Sequence, residues 1–380
     1  MKSYYGKSFN LMEPLLCKIV LQSSGVSGTN TACLCSSGWF SDVQRYSAVI
    51  LDSSALVHNS ISIPIFQFSQ NGTPIEEGDV VLIEPSGLLT VLYKKQSLTN
   101  SVLLTERCNC RCLMCPQPPR NGSEDWIDLS LRTIALMDSN TQALGITGGE
   151  PTLVWDGLIK VLSACHDFIP RASVHLLTNG RILKDYDKAE ELAEVGGKNL
   201  FVGVPLYADI SDIHDTLLRS KGAFWDTVEG LYNLERAGIF VELRTVITKQ
   251  NYMRLPQWAE YVFRTMPFVG RVVFMGLEPI GLALENIDQL WIDPADYLPQ
   301  LEQAIKILHR RDMPVLIYNH QLCTLPTYLW PIAVKSISDW KIVYMPECDG
   351  CSVKASCGGF FFSAQLYKSR NICPVPFVEL

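Results

Sequence analysis

No stretch of this 380-residue sequence approaches the roughly 18 consecutive apolar residues that a membrane span requires. The longest apolar run, Val272 to Leu284, is interrupted by Glu278 and Pro279. A secretory leader is also missing from the start, MKSYYGKSFNLMEPLLCKIV, where Glu13, Pro14 and Lys18 break up the apolar stretch around Leu15 and Leu16. Positive charge is not in excess: 32 basic residues face 39 acidic ones, a formal net charge of -7. A general nucleic-acid binder needs a basic surface to neutralise phosphates, so that class is disfavoured. No internal repeat or low-complexity segment is visible. What remains is a globular composition, 47% apolar and 19% charged, long enough to bury a core without disulfide staples. These absences point to the cytoplasm, where thiols stay reduced.

Thirteen cysteines are many for such a chain. In a reducing compartment, clustered cysteines read first as metal or catalytic ligands. Cys17, Cys33 and Cys35 lie near the start, Cys165 stands alone, and His166 to Leu322 has none. Cys108, Cys110, Cys112 and Cys115 crowd into eight positions, and Cys323, Cys348, Cys351, Cys357 and Cys373 follow in the last sixty residues.

The organisation changes once along the chain. Residues 1–100 read as short strands separated by turns, among them VHNSISIPIFQF, the turn Asn71-Gly72, GDVVLIEP and GLLTVLYKK. This implies a small β-rich domain without a catalytic constellation, and peptide binding is its expected role. From Ser101 strands and helices alternate. The strand SVLLTE precedes the cysteine loop; helices near Leu129 to Met137, Leu153 to Cys165, Asp185 to Val195 and Leu255 to Thr265 then separate the strands ALGIT, SVHLLT, NLFVGVPL, FVELRTVI and RVVFMGL. The amphipathic segment GAFWDTVEGLYNLERAG stops at Gly238. Such alternation predicts an α/β fold with a parallel sheet, and six strands suffice for an open, partial barrel over 101–312. A helix from Tyr297 to Arg310 and the strand MPVLIYN lead into a cysteine-rich region, 313–380.

The strongest chemical signal is TERCNCRCLMCPQPP. Cys108, Cys112 and Cys115 form C-x3-C-x2-C directly after a strand. Three thiolates on one tight loop can hold three irons of a cubane, leaving the fourth open to a small chelating ligand. Cys110 is an alternative fourth ligand, set aside because a ligand one residue removed from both Cys108 and Cys112 would strain the loop that already supplies them. Zinc would leave the x3 spacing unexplained. One βα unit later comes Thr147-Gly148-Gly149-Glu150-Pro151, again after a strand. Its glycines permit close backbone approach to a ligand, and Glu150 offers a carboxylate to a cationic group. Alone, this segment reads as an ordinary strand-to-helix turn.

Together the two motifs resemble the radical SAM superfamily over about Ser101 to Ile280. The resemblance implies a [4Fe-4S] cluster on Cys108, Cys112 and Cys115 whose open iron chelates the amino and carboxylate groups of S-adenosylmethionine (SAM). It further implies cleavage of SAM to a 5′-deoxyadenosyl radical that abstracts hydrogen, with a flavodoxin or ferredoxin as electron donor. Met114, before the last cysteine, corresponds to the adenine contact, where an aromatic residue is common. Gly148, Gly149, Glu150 and Pro151 correspond to the segment holding the methionine amino group. Thr178, Asn179 and Gly180 correspond to ribose-side contacts, and Arg244 to a carboxylate contact. A turn and a solvated strand arginine explain these last residues equally well.

Cys348-x2-Cys351-x5-Cys357, with Cys323 upstream and Cys373 downstream, resembles the SPASM or shorter twitch auxiliary-cluster extensions. The full SPASM pattern continues with x3-C after this run, where this chain has Phe361. One auxiliary [4Fe-4S] cluster is the expected count, on Cys348, Cys351 and Cys357 with Cys323 preferred over Cys373 as fourth ligand; a structural zinc knuckle is the alternative. TERCNCRCLMCPQPP, ITGGEPTL, SISDWKIVY and CGGFFFS together resemble the C-type radical SAM maturase of the His-Xaa-Ser system. That family implies a small precursor peptide with His-x-Ser repeats and a second radical SAM protein as partners. The rival readings are a radical SAM enzyme acting on a small molecule, and a cluster-bearing protein that hands peptide to a second maturase. His214, Asp215 and Arg219 to Gly222 read as a loop before a helix, lining a substrate or serving as caps. His175 and Cys165 read as core.

Overall fold

Alternation of apolar and polar residues builds the first part of the chain into strands, and parallel apolar strands build the rest. The computed structural model describes residues 2–21, 26–35, 43–55, 62–70, 72–120, 122, 125–338 and 341–376. Asn71 of the expected turn, residues 57–61 of the strand VHNSISIPIFQF, and Asp339 and Trp340 of SISDWKIVY lie outside these. The chain divides into two compact units. One comprises Met1–Leu104, Trp126–Gly145 and Asp156–Val174; the other comprises Thr105–Asp125, Ile146–Trp155 and His175–Leu380.

In the first unit, β1 (Lys2–Phe9), β2 (Leu15–Leu21), β3 (Gly28–Cys35), β4 (Tyr46–Leu51), β5 (Ile65–Phe68), β6 (Val80–Ile83) and β7 (Leu88–Tyr93) close a barrel in the order β1-β5-β4-β3-β2-β6-β7. The expected β-rich region is therefore a closed barrel, and closure removes the free edges that an open sheet would expose. Its inward positions, including Cys17, Ile19, Ala48, Ile50, Phe66, Val81, Ile83 and Leu89, form one buried cluster. The pairs β2–β3, β3–β4 and β4–β5 are parallel, which the short spacing of these strands did not announce.

The remaining long strands are β8 (Ser101–Leu103), β9 (Ala143–Thr147), β10 (Ser173–Leu177), β11 (Leu200–Pro205), β12 (Phe240–Val246), β13 (Arg271–Met275) and β14 (Val315–Tyr318), in the sheet order β14-β13-β12-β11-β10-β9-β8. The α/β fold expected from alternation is present, with β14 as a seventh strand beyond the expected six. Strands β11 to β14 pair in parallel, with Arg244 opposite Val273 and Pro205 opposite Arg244. The helices are α1 (Ile127–Leu136), α2 (Trp155–Phe168), α3 (Tyr186–Gly196), α4 (Ser211–Leu218), α5 (Ala223–Arg236), α6 (Leu255–Thr265), the short α7 (Leu282–Glu285) and α8 (Ile287–Leu290), and α9 (Pro294–His309). Helix α5 ends before Gly238, whose φ of +75° suits a left-handed stop. Among the described residues no helix is long and apolar enough to cross a membrane.

The loop expected around His214 is instead helix α4, which buries His214, Leu217 and Leu218 on one face. Asp215 accepts hydrogen bonds from the amides of Gly222 at 2.6 Å and Phe224 at 2.8 Å, satisfying donors at the start of α5. Capping accounts for it. A small antiparallel pair, β15 (Ile342–Val343) with β16 (Phe360–Phe361), organises the cysteine-rich end.

Candidate functional site

The cysteine loop is held on three sides, by main-chain bonds and one side-chain amide. Gly149 N donates to Thr105 O at 2.7 Å and Glu150 N to Arg107 O at 2.8 Å, fastening the Gly-Gly-Glu segment to the start of the loop. The glycines are required here by packing. A Cβ on Gly148 would stand 2.7 Å from Thr105 O, and one on Gly149 would stand 2.2 Å from Arg107 O. On the second side, Arg111 N and Leu113 N donate to Leu218 O and Leu217 O at 3.1 and 2.8 Å, using carbonyls that the end of α4 leaves open. On the third, Leu282 N donates to Cys115 O at 2.9 Å and Asn286 Nδ2 to Leu113 O at 3.2 Å.

These anchors set the thiols in two environments. Cys108, Cys112 and Cys115 are half-buried, whereas Cys110 is buried and receives Asn179 Nδ2 and Arg181 Nη1 on its sulfur at 3.6 Å each. A hydrogen bond shared with Cys108, reinforced by Arg181, holds the Cys110 thiol down to about 7 and drives Cys108 up. Burial pushes Cys112 and Cys115 up, and neighbouring cysteine charges add to this at Cys112. Thiolates at these positions need a compensating cation, and three such sulfurs on one loop suit an iron–sulfur cluster by the chemistry of the donor set. Among the described residues no three His, Cys, Asp or Glu side chains converge on a point that would hold a single ion.

The other expected contacts lie around this loop, and most are already engaged. Met114 is buried with Leu113, Leu217, Ala283 and Leu290. Glu150 is 1% exposed; its Oε1 accepts from the Thr152 and Thr178 hydroxyls, both at 2.6 Å, and its Oε2 from Asn179 N at 2.7 Å. Burial raises the Glu150 pKa, and these donors partly offset that. Pro151 opens a short 3-10 turn that leads into α2. Asn179 Nδ2 also donates to Asn109 Oδ1 at 2.6 Å, so Thr178 and Asn179 join the ends of β9 and β10 to the loop. Arg244 Nε donates to Glu242 Oε1 at 2.6 Å, and Glu242 also accepts from Arg271 Nη1 at 3.1 Å. Glu242, Arg181 and Tyr207 escaped the sequence reading. Tyr207 is half-buried and packs, like Cys112, against the Leu113 and Met114 cluster, and its hydroxyl pKa is raised by burial and then by the cysteine charges. Nothing in the local sequence distinguishes these three from ordinary strand-end residues.

At the other end, Cys323, Cys348, Cys351, Cys357 and Cys373 line one pocket of about 20 Å³. Cys351 Sγ accepts from Val375 N at 3.4 Å, and the Cys373 backbone amide bonds to the Cys323 sulfur. Burial raises the Cys323 and Cys348 thiols. All thirteen cysteines are free.

Similarity to known proteins bears on this geometry. The chain is 32% identical over 157 residues to the Fe-coproporphyrin III synthase of Methanosarcina barkeri, covering 40% of this chain and 38% of that one. It is 28% identical over 163 residues to the antilisterial bacteriocin subtilosin biosynthesis protein AlbA of Bacillus subtilis, covering 42% and 35%. The chain thus spans well under half the length of these two relatives. A crystal structure of Streptococcus suis SuiB bound to S-adenosylmethionine aligns at a TM-score of 0.47 and 16% identity, over 60% of this chain and 50% of that one. The family model of the Radical SAM superfamily matches residues 102–262, which contain the cysteine loop, the Thr147–Pro151 segment and Arg244.

Proposed function

We propose that this protein cleaves SAM reductively and uses the resulting radical to modify a ribosomally made peptide of the His-Xaa-Ser repeat type. The observation that carries the reading is the backbone fastening of the Gly-Gly-Glu segment to the C-x3-C-x2-C loop through Gly149 and Glu150. Cys108, Cys112 and Cys115 hold three irons of the [4Fe-4S] cluster. When bound, the cluster supplies the electron that breaks a carbon–sulfur bond of SAM and releases the 5′-deoxyadenosyl radical. Gly148 to Pro151 receive the methionine end, Met114 the adenine, Thr178 and Asn179 the ribose, and Arg244 the carboxylate. Glu150 and Glu242 orient these segments through the donors they already hold.

The C-terminal thiols hold one auxiliary [4Fe-4S] cluster, on Cys348, Cys351, Cys357 and Cys323. Under this reading residues 1–100 recognise peptide, 101–312 carry the SAM chemistry and 313–380 the auxiliary cluster. The protein works in the cytoplasm, takes electrons from a flavodoxin or ferredoxin, and has a second radical SAM protein as partner. Similarity to AlbA supports a peptide substrate.

The test is anaerobic reconstitution with iron and sulfide, addition of dithionite and SAM, and measurement of 5′-deoxyadenosine. Turnover that persists after Cys108, Cys112 and Cys115 are all changed to Ala refutes the assignment. A small-molecule substrate is the second reading, favoured by similarity to the Fe-coproporphyrin III synthase. Mass spectrometry of a co-expressed peptide separates the two, since only a peptide maturase leaves a mass change on it.

A further inference from the structure

We infer that Cys110 is a positioning residue of the cluster loop: its sulfur, gripped by Arg181 and Asn179, aims its own amide at the Cys108 sulfur. This rests on the cluster reading of the loop and gives a role to the thiol there that the reading leaves unused. The C-x3-C spacer is Asn109-Cys110-Arg111, and each of its residues is fastened separately. Asn109 Oδ1 accepts from Asn179 Nδ2 at 2.6 Å, and Asn109 O from Arg181 Nη1 at 3.3 Å. Arg111 N donates to Leu218 O at 3.1 Å. Between them, Cys110 is 3% exposed and packs against Leu218 and Ala223. Its sulfur accepts from Asn179 Nδ2 and Arg181 Nη1 at 3.6 Å each. Its amide donates to Cys108 Sγ at 3.4 Å.

Both donors are themselves fixed. Asn179 N donates to Glu150 Oε2 at 2.7 Å, and Asn179 O accepts from Thr227 Oγ1 at 3.0 Å. Arg181 Nε and Nη2 donate to Asp226 Oδ2 at 3.2 and 2.8 Å, and its Nη1 donates to Ser220 Oγ at 2.9 Å. Cys110 is thus where the end of β10 and the start of α5 take hold of the cysteine loop. To act as a fourth ligand it would have to abandon both donors and its packing, whereas Cys108, Cys112 and Cys115 are only half-buried. Hydrogen bonds to ligand sulfurs and nearby positive charge favour the reduced, more negative cluster, and such outer contacts also hold the ligands in place. Loosening Cys110 therefore lowers the potential of the cluster and weakens its retention. Serine at this position keeps an acceptor for both donors, and alanine does not.

The test uses the full-length protein, reconstituted anaerobically, reduced with dithionite and followed by electron paramagnetic resonance. The signal that changes when SAM is added belongs to the loop, which separates it from the C-terminal site. In Cys110→Ala the midpoint potential of that signal should move downward. The chelator concentration that halves it should fall about tenfold or more, the scale on which outer contacts act on metal affinity. Cys110→Ser should restore both values toward wild type. Arg181→Met reaches the same contact from the other side and should shift the potential in the same direction, while Arg181→Lys should shift it less. Far-ultraviolet circular dichroism shows which variants are folded, and the Arg181 pair decides the matter if Cys110→Ala is not. A folded Cys110→Ala, or Arg181→Met, with wild-type potential and chelator resistance overturns the inference. So does a wild type whose signal ignores SAM when that of Cys110→Ala responds, because Cys110 would then be a ligand. A signal that ignores SAM in every variant sinks the SAM-cleaving reading itself, which is a different outcome from a responsive cluster indifferent to Cys110.

Discussion

Gly149 packs against Arg107 so closely that a single added methyl group would stand 2.2 Å from the arginine carbonyl oxygen. That carbonyl already accepts the Glu150 amide at 2.8 Å, so the loop cannot simply slide aside. Gly149→Ala should destabilise the protein by about 1–3 kcal/mol, the usual range for forcing extra volume into a packed site. It should also lower iron retention and 5′-deoxyadenosine formation. Thermal melts and iron assays check this; a variant with wild-type melting and full iron content would contradict the tight packing.

Buried His214 makes acid sensitivity a measurable property. Its Nδ1 accepts from Tyr207 N at 3.1 Å, and burial lowers its pKa to about 4. Because the folded value is below the usual unfolded value of about 6.5, the unfolded chain binds more protons between these limits. The contribution of His214 is complete near neutrality and is lost as pH falls from about 6.5 toward 4. Its loss by pH 5 is about 2 kcal/mol. His214→Asn keeps an acceptor for Tyr207 N and should flatten that part of the pH profile in urea melts. An unchanged slope would show that other groups control acid stability.

Iron counting separates the two contenders for the auxiliary site. Cys323→Ala should lower the iron content of reconstituted protein by about four atoms per chain, the content of one cubane. Cys373→Ala should leave the iron content near wild type. Neither should abolish SAM cleavage. The reverse pattern would make Cys373 the ligand and Cys323 the bystander.

Asp215→Ala tests whether the residue is structural. Losing its bonds to the amides of Gly222 and Phe224 should cost about 1–2 kcal/mol. Modification of a peptide substrate should keep its KM. A KM raised severalfold, with unchanged stability, would instead put Asp215 in contact with substrate.

Much of the fold was legible because the relevant signals are local. Helix α6 occupies Leu255–Thr265, the span its apolar spacing predicts, and β9 through β13 coincide with the apolar runs that lie between helices. The closed barrel was legible as strands only. Parallel neighbours such as β2 and β3 are chosen by distant packing, which spacing does not encode. Helix α4 was missed because Ser211, Asp212 and Asp215 look like loop residues until Leu217 and Leu218 are seen buried on one face. At the site, the cysteine spacing was readable. The role of the glycines was read only in part: conformational freedom was evident, but the carbonyl of Arg107 against which Gly149 must fit comes from 42 residues earlier, 149 minus 107.

The bonds from Gly149 and Glu150 to Thr105 and Arg107 are made by the main chain. Replacement by any residue but proline therefore leaves both donors in place; proline or a change in backbone path is needed to remove them. Anyone transplanting this centre into another scaffold would have to move both segments, 105–125 and 146–155, as a matched pair, because either alone would arrive without the surface that shapes it.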